Sequence, residues 1–223
     1  MSAIRFIFRK LSQALSSKKI FLTKSLTFRK KPQALPANFD YMRFATLGLC
    51  YEEIVNNKVK GSVAELGVYK GDFAWRLNFL FADRSLYLFD TFSGFDTKDM
   101  KQEVTGGFQQ ANQDFSDTSI DIVLSKMANP KNCILKKGYF PDTTIGIDDT
   151  FCFVSIDADL HNPILAGLNY FYPRLEKGGY LFIHDFNNDM YKGAKEAVLR
   201  FCTDQNIGYV PIPDSGGTVI ITK

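Results

Sequence analysis

Three carboxylates and an imidazole crowd two short stretches of this chain. Asp157 and Asp159 follow the apolar run Phe151–Ile156, and His184 and Asp185 follow a second run over 180–183. Both runs are partly β-branched or aromatic and too brief for helices, which is how buried parallel strands read. Where two such strands are neighbours, their carboxyl ends share the rim of an open α/β sheet that binds ligands. An oxygen-rich donor set suits Mg2+ or Mn2+, and an imidazole widens the choice toward other transition metals. The competing reading is structural: a carboxylate there caps a helix or meets a lysine, and a lone histidine is commonly satisfied in place. His161, the other histidine, falls at the end of the first run.

A second constellation is Glu65-Leu-Gly67-Val68-Tyr69-Lys-Gly71, on a strand-to-helix turn. Glycines let backbone approach a ligand, and a helix start offers free N–H groups. The spacing is neither that of a dinucleotide fingerprint nor that of a P-loop. An acid beside such a turn suits a ligand with positive charge, such as a sulfonium amino acid. Asp90 ends the next apolar run, at about the separation at which an acid takes two ribose hydroxyls. Together the two motifs favour S-adenosylmethionine over NAD; an ordinary tight turn is the plainer alternative. Nucleophile chemistry finds little support. There is no G-x-S-x-G, Ser155 lies within a strand, and Cys133 and Cys152 sit in apolar runs without a basic neighbour.

The elements that position these residues alternate. Residues 30–36 read as a linker. Tyr41, Phe44, Leu47, Tyr51, Ile54 and Val55 fit a helix closed by Gly61. Strand Ser62–Leu66, helix 72–81 and strand 85–89 follow, and 91–116 reads as a long functional loop. In that loop and beyond it, Phe92, Phe95, Phe108 and Tyr139 are candidates to cover a site or to pack in the core. Thr118 with Asp121 suggests a cap for a helix over 120–127, and 132–136 a third strand. Asn162-Pro163 reads as the cap and first residue of a helix that Gly178-Gly179 ends. A helix around Ala194–Phe201 and strands 207–211 and 218–222 close the chain. This layout predicts a doubly wound, three-layer α/β/α sandwich with a mostly parallel seven-stranded sheet and an antiparallel C-terminal strand.

Charge is uneven. Residues 1–39 hold nine Lys/Arg and no acid, while the rest holds 18 basic and 24 acidic residues, a balance of −6. A mildly acidic body argues against nucleic acid as partner. Residues 1–38 read as a basic extension and 39–223 as the catalytic domain. Ile4, Phe8, Leu11 and Leu15 share a helical face. A solvated or lid-forming arm, peripheral membrane contact through 1–31, and a transit peptide all fit. Scattered cysteines suit a reducing compartment, so the expected location is cytoplasmic, with the inner face of a membrane left open.

The segments VAELGVYKGDFAWRL, LYLFDTFSGFD, LKKGYFPDT, VSIDADLHNPILAGLNYFYPRLEKGGYLFIHDF and GAKEAVLRF, in that order, resemble the macrocin O-methyltransferase (TylF/MycF-type) family over about 40–223. The resemblance implies a Rossmann-like class I fold and divalent-metal-assisted, S-adenosylmethionine-dependent methylation of a sugar hydroxyl on a glycan, glycolipid or glycosylated metabolite, with Mg2+ the expected ion. It places Glu65, Gly67, Val68, Tyr69 and Gly71 beside the methionine part of the donor, Asp90 on its ribose, and Thr91 and Gly138 among the other donor contacts. Asp157 becomes metal ligand and general base, His184 a second base candidate, and His184 with Asp185 completes the metal site. Two positions depart from the pattern. His184-Asp185 stands where the antibiotic enzymes have two consecutive Asp, which brings Mn2+ and other ions into question, and His161 stands where they have Tyr. Homo-oligomers are common in the family. A noncatalytic nucleoside-binding protein of this fold, and another metal-dependent saccharide-modifying enzyme, remain as alternatives.

Overall fold

The computed structural model describes residues 3–16, 18, 40–108 and 114–223. The expected linker at 30–36 lies outside the described residues. The chain divides into two compact units, Met1–Leu35 and Pro36–Lys223. Within the first, helix α1 spans Ala3–Ser16.

The second unit alternates α2 (Tyr41–Asn56), β1 (Ser62–Leu66), α3 (Ala74–Leu80), β2 (Leu86–Asp90), α4 (Thr97–Thr105), α5 (Ile120–Lys126), β3 (Cys133–Lys137), β4 (Phe151–Ile156), α6 (His161–Arg174), β5 (Leu175–Ile183), α7 (Lys192–Gln205), β6 (Val210–Pro211) and β7 (Val219–Thr222). Its seven-stranded sheet runs β3-β2-β1-β4-β5-β7-β6. The first five strands are parallel, while β7 runs antiparallel to both β5 and β6. Alternate strand residues feed two cores. Ala64, Leu66, Phe89, Val154, Leu181 and Ile183 pack with α6 and α7. Val63, Leu88, Phe153 and Phe182 pack with α2, α3 and α5. Since the central strands β1, β4 and β5 are covered on both faces, period-2 polarity is absent there and they read as apolar runs. This is the three-layer doubly wound sandwich that the alternation predicts.

Several local expectations are corrected. The 91–116 loop contains α4, whose buried residues are Asp99 and Glu103. A helix that turns carboxyls inward at i and i+4 carries no apolar stripe to read. Its N-cap is Asp96, which accepts from Lys98 N at 2.8 Å. Ser119, and not Thr118, caps α5 by accepting from Ile122 N; the Thr118 hydroxyl donates instead to the Tyr69 carbonyl. Helix α6 begins at His161 with no side-chain cap of its own. Glu103 Oε2 takes that part by accepting from His161 N at 3.1 Å, which frees Asn162 to donate to Asp99 Oδ1 at 3.2 Å. Helix α3 starts later than Asp72. Gly178-Gly179 lie inside β5, whose pairing with β4 jumps from Phe151–Leu175 to Phe153–Tyr180.

Candidate active site

Sheet order reverses between β1 and β4, and the strands there diverge into a crevice. Four non-glycine residues just past strand ends hold left-handed backbone: Tyr69 after β1, Phe92 after β2, Asp159 after β4 and Asp185 after β5, with φ of 48°, 52°, 60° and 61°. Such conformations cost about 1–3 kcal/mol each and gather where a site over-determines the backbone. Three of them, Tyr69, Asp159 and Asp185, line a cavity of about 720 Å³.

The β1 turn is held from inside the protein. A β-carbon at Gly67 would collide with the Asp157 carbonyl, and one at Gly71 would press on Val123 and Met127. Both glycines also have φ near +80°. They therefore serve close chain packing, and Gly71 is not among the cavity-lining residues. Asp90 fastens the same turn: Oδ2 accepts from Val68 N at 2.7 Å and Tyr69 N at 2.9 Å, and Oδ1 from Phe92 N at 2.6 Å. Glu65, Gly67, Val68, Tyr69, Asp90, Thr91 and Gly138 all border the cavity. Glu65 is 1% exposed, and its Oε2 has no hydrogen-bond partner. Burial, reinforced by the charge of Asp157 and opposed by Arg43, raises its carboxyl well above the ordinary value, which favours the protonated form. Of the aromatic residues expected to cover the site, Phe95 and Tyr139 line it. Phe92 packs in the core, and Phe108 stacks on His161 at 5.3 Å between ring centres.

The acid rim assembles around a cation absent from the sequence expectation. Arg43, on α2, donates to Asp157 Oδ2 at 2.9 Å and to Ser155 Oγ at 3.2 Å, with its guanidinium 4.1 Å from the centre of the Phe73 ring. His184 Nδ1 stands 3.0 Å from Asp157 Oδ1 and 2.9 Å from Asp185 Oδ2. Asn188 Nδ2 donates to the other oxygen of Asp185 at 2.7 Å. On its far edge, the imidazole meets Gly216, where a β-carbon would run into Nε2. Burial alone would raise the Asp157 pKa; the charges of His184 and Arg43, with their hydrogen bonds, hold it far below the usual range. Burial likewise works against His184, but Asp157 and the two carboxylate hydrogen bonds push it up to about 10 despite Arg43. The imidazolium proton is thus shared between two carboxylates. Asp159 is driven the other way, by burial and then by the charges of Asp157 and Asp185. Asp157 meets a guanidinium and His184, and Asp185 meets His184 and Asn188, so neither caps a helix or pairs with a lysine.

Arg43 had a signal in the sequence. It occupies the helical stripe 43, 47, 50, 54, whose other members Leu47, Cys50 and Ile54 are buried. A charge on an apolar stripe demands a buried counter-charge. Asp40 is the second residue outside the expectation: it caps α2 through Oδ1 and, through Oδ2, accepts from Ser215 N and Oγ, both at 2.7 Å. That ties the loop carrying Gly216 to the start of the helix carrying Arg43.

Asp157, His184 and Asp185 each offer a ligand atom within 4.8 Å of the others. The proton on His184 Nδ1 sits among them where a cation's charge would sit, and metal binding at such a site exchanges a proton for the ion. The donor set fits a divalent ion, with the imidazole favouring Mn2+ or a softer ion over Mg2+. The thiols offer no alternative chemistry: all four cysteines are free, and burial pushes Cys133 and Cys152 up to about 11.

Comparison with known proteins bears out the fold class. Demethyldecarbamoylnovobiocin O-methyltransferase of Streptomyces niveus is 24% identical over 192 residues, covering 78% of this chain and 71% of that protein. The solved structure of the O-methyltransferase NovP superposes with a TM-score of 0.66 at 22% identity, covering 82% of this chain and 79% of its own. The calicheamicin methyltransferase CalS11 gives 0.65 at 17% identity, covering 81% and 78%. These likenesses establish the fold. The family described as Macrocin-O-methyltransferase (TylF) matches residues 16–214, nearly all of the catalytic unit, and the chain belongs to that family of O-methyltransferases.

Proposed function

We propose that the protein transfers a methyl group from S-adenosylmethionine to a hydroxyl of a sugar unit in a glycosylated metabolite, glycan or glycolipid, assisted by a divalent ion. The observation that carries the reading is the placement of the Asp157–His184–Asp185 cluster and the unpartnered Glu65 carboxyl on one cavity. A cationic donor is what a buried, unpartnered carboxyl can favour. Among the described residues no lysine lines the cavity to take a polyphosphate.

The same charges narrow the acceptor. Nine carboxyl side chains line the cavity against one guanidinium and one imidazole, and the guanidinium is already paired. An anionic acceptor such as a nucleotide sugar would meet like charge there, so the acceptor is an uncharged or amino sugar unit. The name TDP-rhamnose 3'-O-methyltransferase belongs to CalS11; this cavity favours a different charge.

In the reaction, Asp157, His184 and Asp185 would hold the ion. Once bound, a divalent ion lowers the pKa of an oxygen it touches. Arg43 keeps Asp157 ionised and fixed in place, so that its share is orientation and a late proton acceptance as the methyl moves. Asp90 secures the Val68–Tyr69 turn and would be the acid that meets the donor's ribose. Holding oxygen and methyl in line supplies about 7 kcal/mol or more of the barrier reduction, and the sulfonium supplies the leaving group.

Purified protein given methyl-labelled donor and a panel of neutral glycosides, aminoglycosides and nucleotide sugars tests the reading. Label is expected in the first two classes, only with a divalent ion present. Transfer confined to nucleotide sugars would sink the acceptor assignment, and failure to bind the donor by calorimetry would sink the function.

A further inference from the structure

We infer that α1 is a docking surface for an anionic lipid bilayer, on which the helix lies flat. At about 100° per residue, Ile7, Phe8, Leu11 and Leu15 fall on one side, Ser12 on its flank, and Arg9, Gln13 and the single ring of Phe6 on the opposite one. That apolar side faces water: Ile7 is 63% exposed, Leu11 51% and Phe8 38%. Large apolar side chains left in water on a single short helix mark an interaction surface.

Charge identifies the occupant. Residues 1–39 carry nine Lys/Arg and no Asp or Glu, whereas the remainder of the chain carries −6. Lys10 Nζ lies 5.9 Å from the centre of the Phe6 ring, on the side of the helix away from the stripe. That is the arrangement of a lysine whose stem covers apolar surface while its head stays with water and phosphate. An apolar stripe with cations on the polar face is what an interfacial helix presents to anionic lipid. Nucleic acid would match the cations and leave the stripe unused. A protein groove would match the stripe and have no need of an acid-free surround. The helix cannot span: 14 residues reach about 21 Å, against about 30 Å of hydrocarbon.

The test is co-sedimentation of the full chain with vesicles of phosphatidylcholine alone or with phosphatidylserine added. Binding to the anionic vesicles is expected to exceed binding to neutral ones by about tenfold or more, and to fall with added salt. Leu11→Asp with Ile7→Ser should lower it by roughly tenfold even at low salt, because the stripe must enter the interface. Arg9→Glu with Lys10→Glu should lower it similarly. Thermal melting and methyl transfer without vesicles should be unchanged in both variants. Equal binding to neutral and anionic vesicles, or none to either, overturns the inference. So does wild-type binding by the Leu11→Asp variant, which would leave a polyanion site indifferent to apolar contact. A change in sedimentation, melting or activity of that variant without vesicles also overturns it, since the stripe would then be covered by protein.

Discussion

Arg43 Nη1 donates to Asp157 Oδ2 at 2.9 Å, joining helix α2 to the end of strand β4. The two side chains are 8% and 23% exposed, so neither charge is well served by water. Removing the cation leaves an ionised carboxylate in a poorly solvated place, a loss of about 3–5 kcal/mol for a buried pair. Arg43→Met is therefore expected to lower the melting temperature and to cut kcat by at least about tenfold. Arg43→Lys should keep part of both, since the charge remains and the bond to Ser155 is lost. Unchanged kcat in Arg43→Met, in protein shown to be folded, would remove Arg43 from the reaction.

The His184–Asp157 pair sets a pH window in the metal-free protein. His184 titrates near 10 in the fold and near 6.5 unfolded, so its contribution is full below 6.5 and is lost as pH rises through 10. Asp157 is depressed from 3.8, so its contribution is present above 3.8 and lost as pH falls below it. Melting temperature in chelator should decline on both sides of that window, and His184→Asn should flatten the alkaline side and, because His184 is the chief charge that depresses Asp157, weaken the acid side as well. An alkaline limb unchanged by His184→Asn would show that another group produces it.

Much of this arrangement is legible in the sequence, and the exceptions share a cause. Strands β1, β2, β4 and β5 read as apolar runs because both faces are covered, and the residues just past them identify the rim. Helix α4 is not legible because Asp99 and Glu103 are its buried side, and apolar periodicity is blind to a polar core face. The start of α6 is misread for a related reason: the carboxyl that serves its first N–H comes from Glu103, 58 residues earlier. Asp90 looks like a ribose acid from position alone, yet three backbone N–H groups of its own protein occupy it. A local pattern predicts local partners; these three acids find theirs through the fold.

On the proposed reading, Glu65 would make donor binding depend on pH. In the free protein its carboxyl is raised well above the ordinary value, chiefly through burial. A cationic ligand beside it favours the ionised form, so binding releases a proton and tightens as pH rises, by up to about tenfold per unit until the free carboxyl itself ionises. Calorimetry of S-adenosylmethionine in buffers of different ionisation enthalpy reads the released proton. Glu65→Gln should bind more weakly and release none. A pH-independent affinity in the wild type would place the donor's charge elsewhere.

On the proposed reading, the imidazole at 184 would decide which ion the cluster prefers. Three ligand atoms within 4.8 Å, one of them nitrogen, suit Mn2+ better than Mg2+. Chelation should abolish transfer, and Mn2+ should restore it at lower concentration than Mg2+, with affinity rising with pH as the Nδ1 proton is displaced. His184→Asp is expected to shift the preference toward Mg2+. Full activity after exhaustive chelation would leave Asp157, with Arg43 and His184, to work without an ion.

Gly216 controls where that imidazole can be. A β-carbon there would occupy the space of His184 Nε2, and the loop cannot retreat freely because Asp40 holds Ser215 through two bonds of 2.7 Å. Gly216→Ala must therefore push the ring toward Asp157 and Asp185 or rotate it out of the carboxylate bridge. Either movement disturbs the ligand triangle while leaving the Glu65 turn untouched. The expected signature is a loss of kcat and of Mn2+ affinity by about tenfold or more, with the S-adenosylmethionine Kd unchanged. Asp40→Asn, which slackens the loop's tether, should restore part of the loss in the double variant. If the loss in Gly216→Ala were instead confined to donor binding, the contact between Gly216 and His184 would have no part in aligning the acceptor.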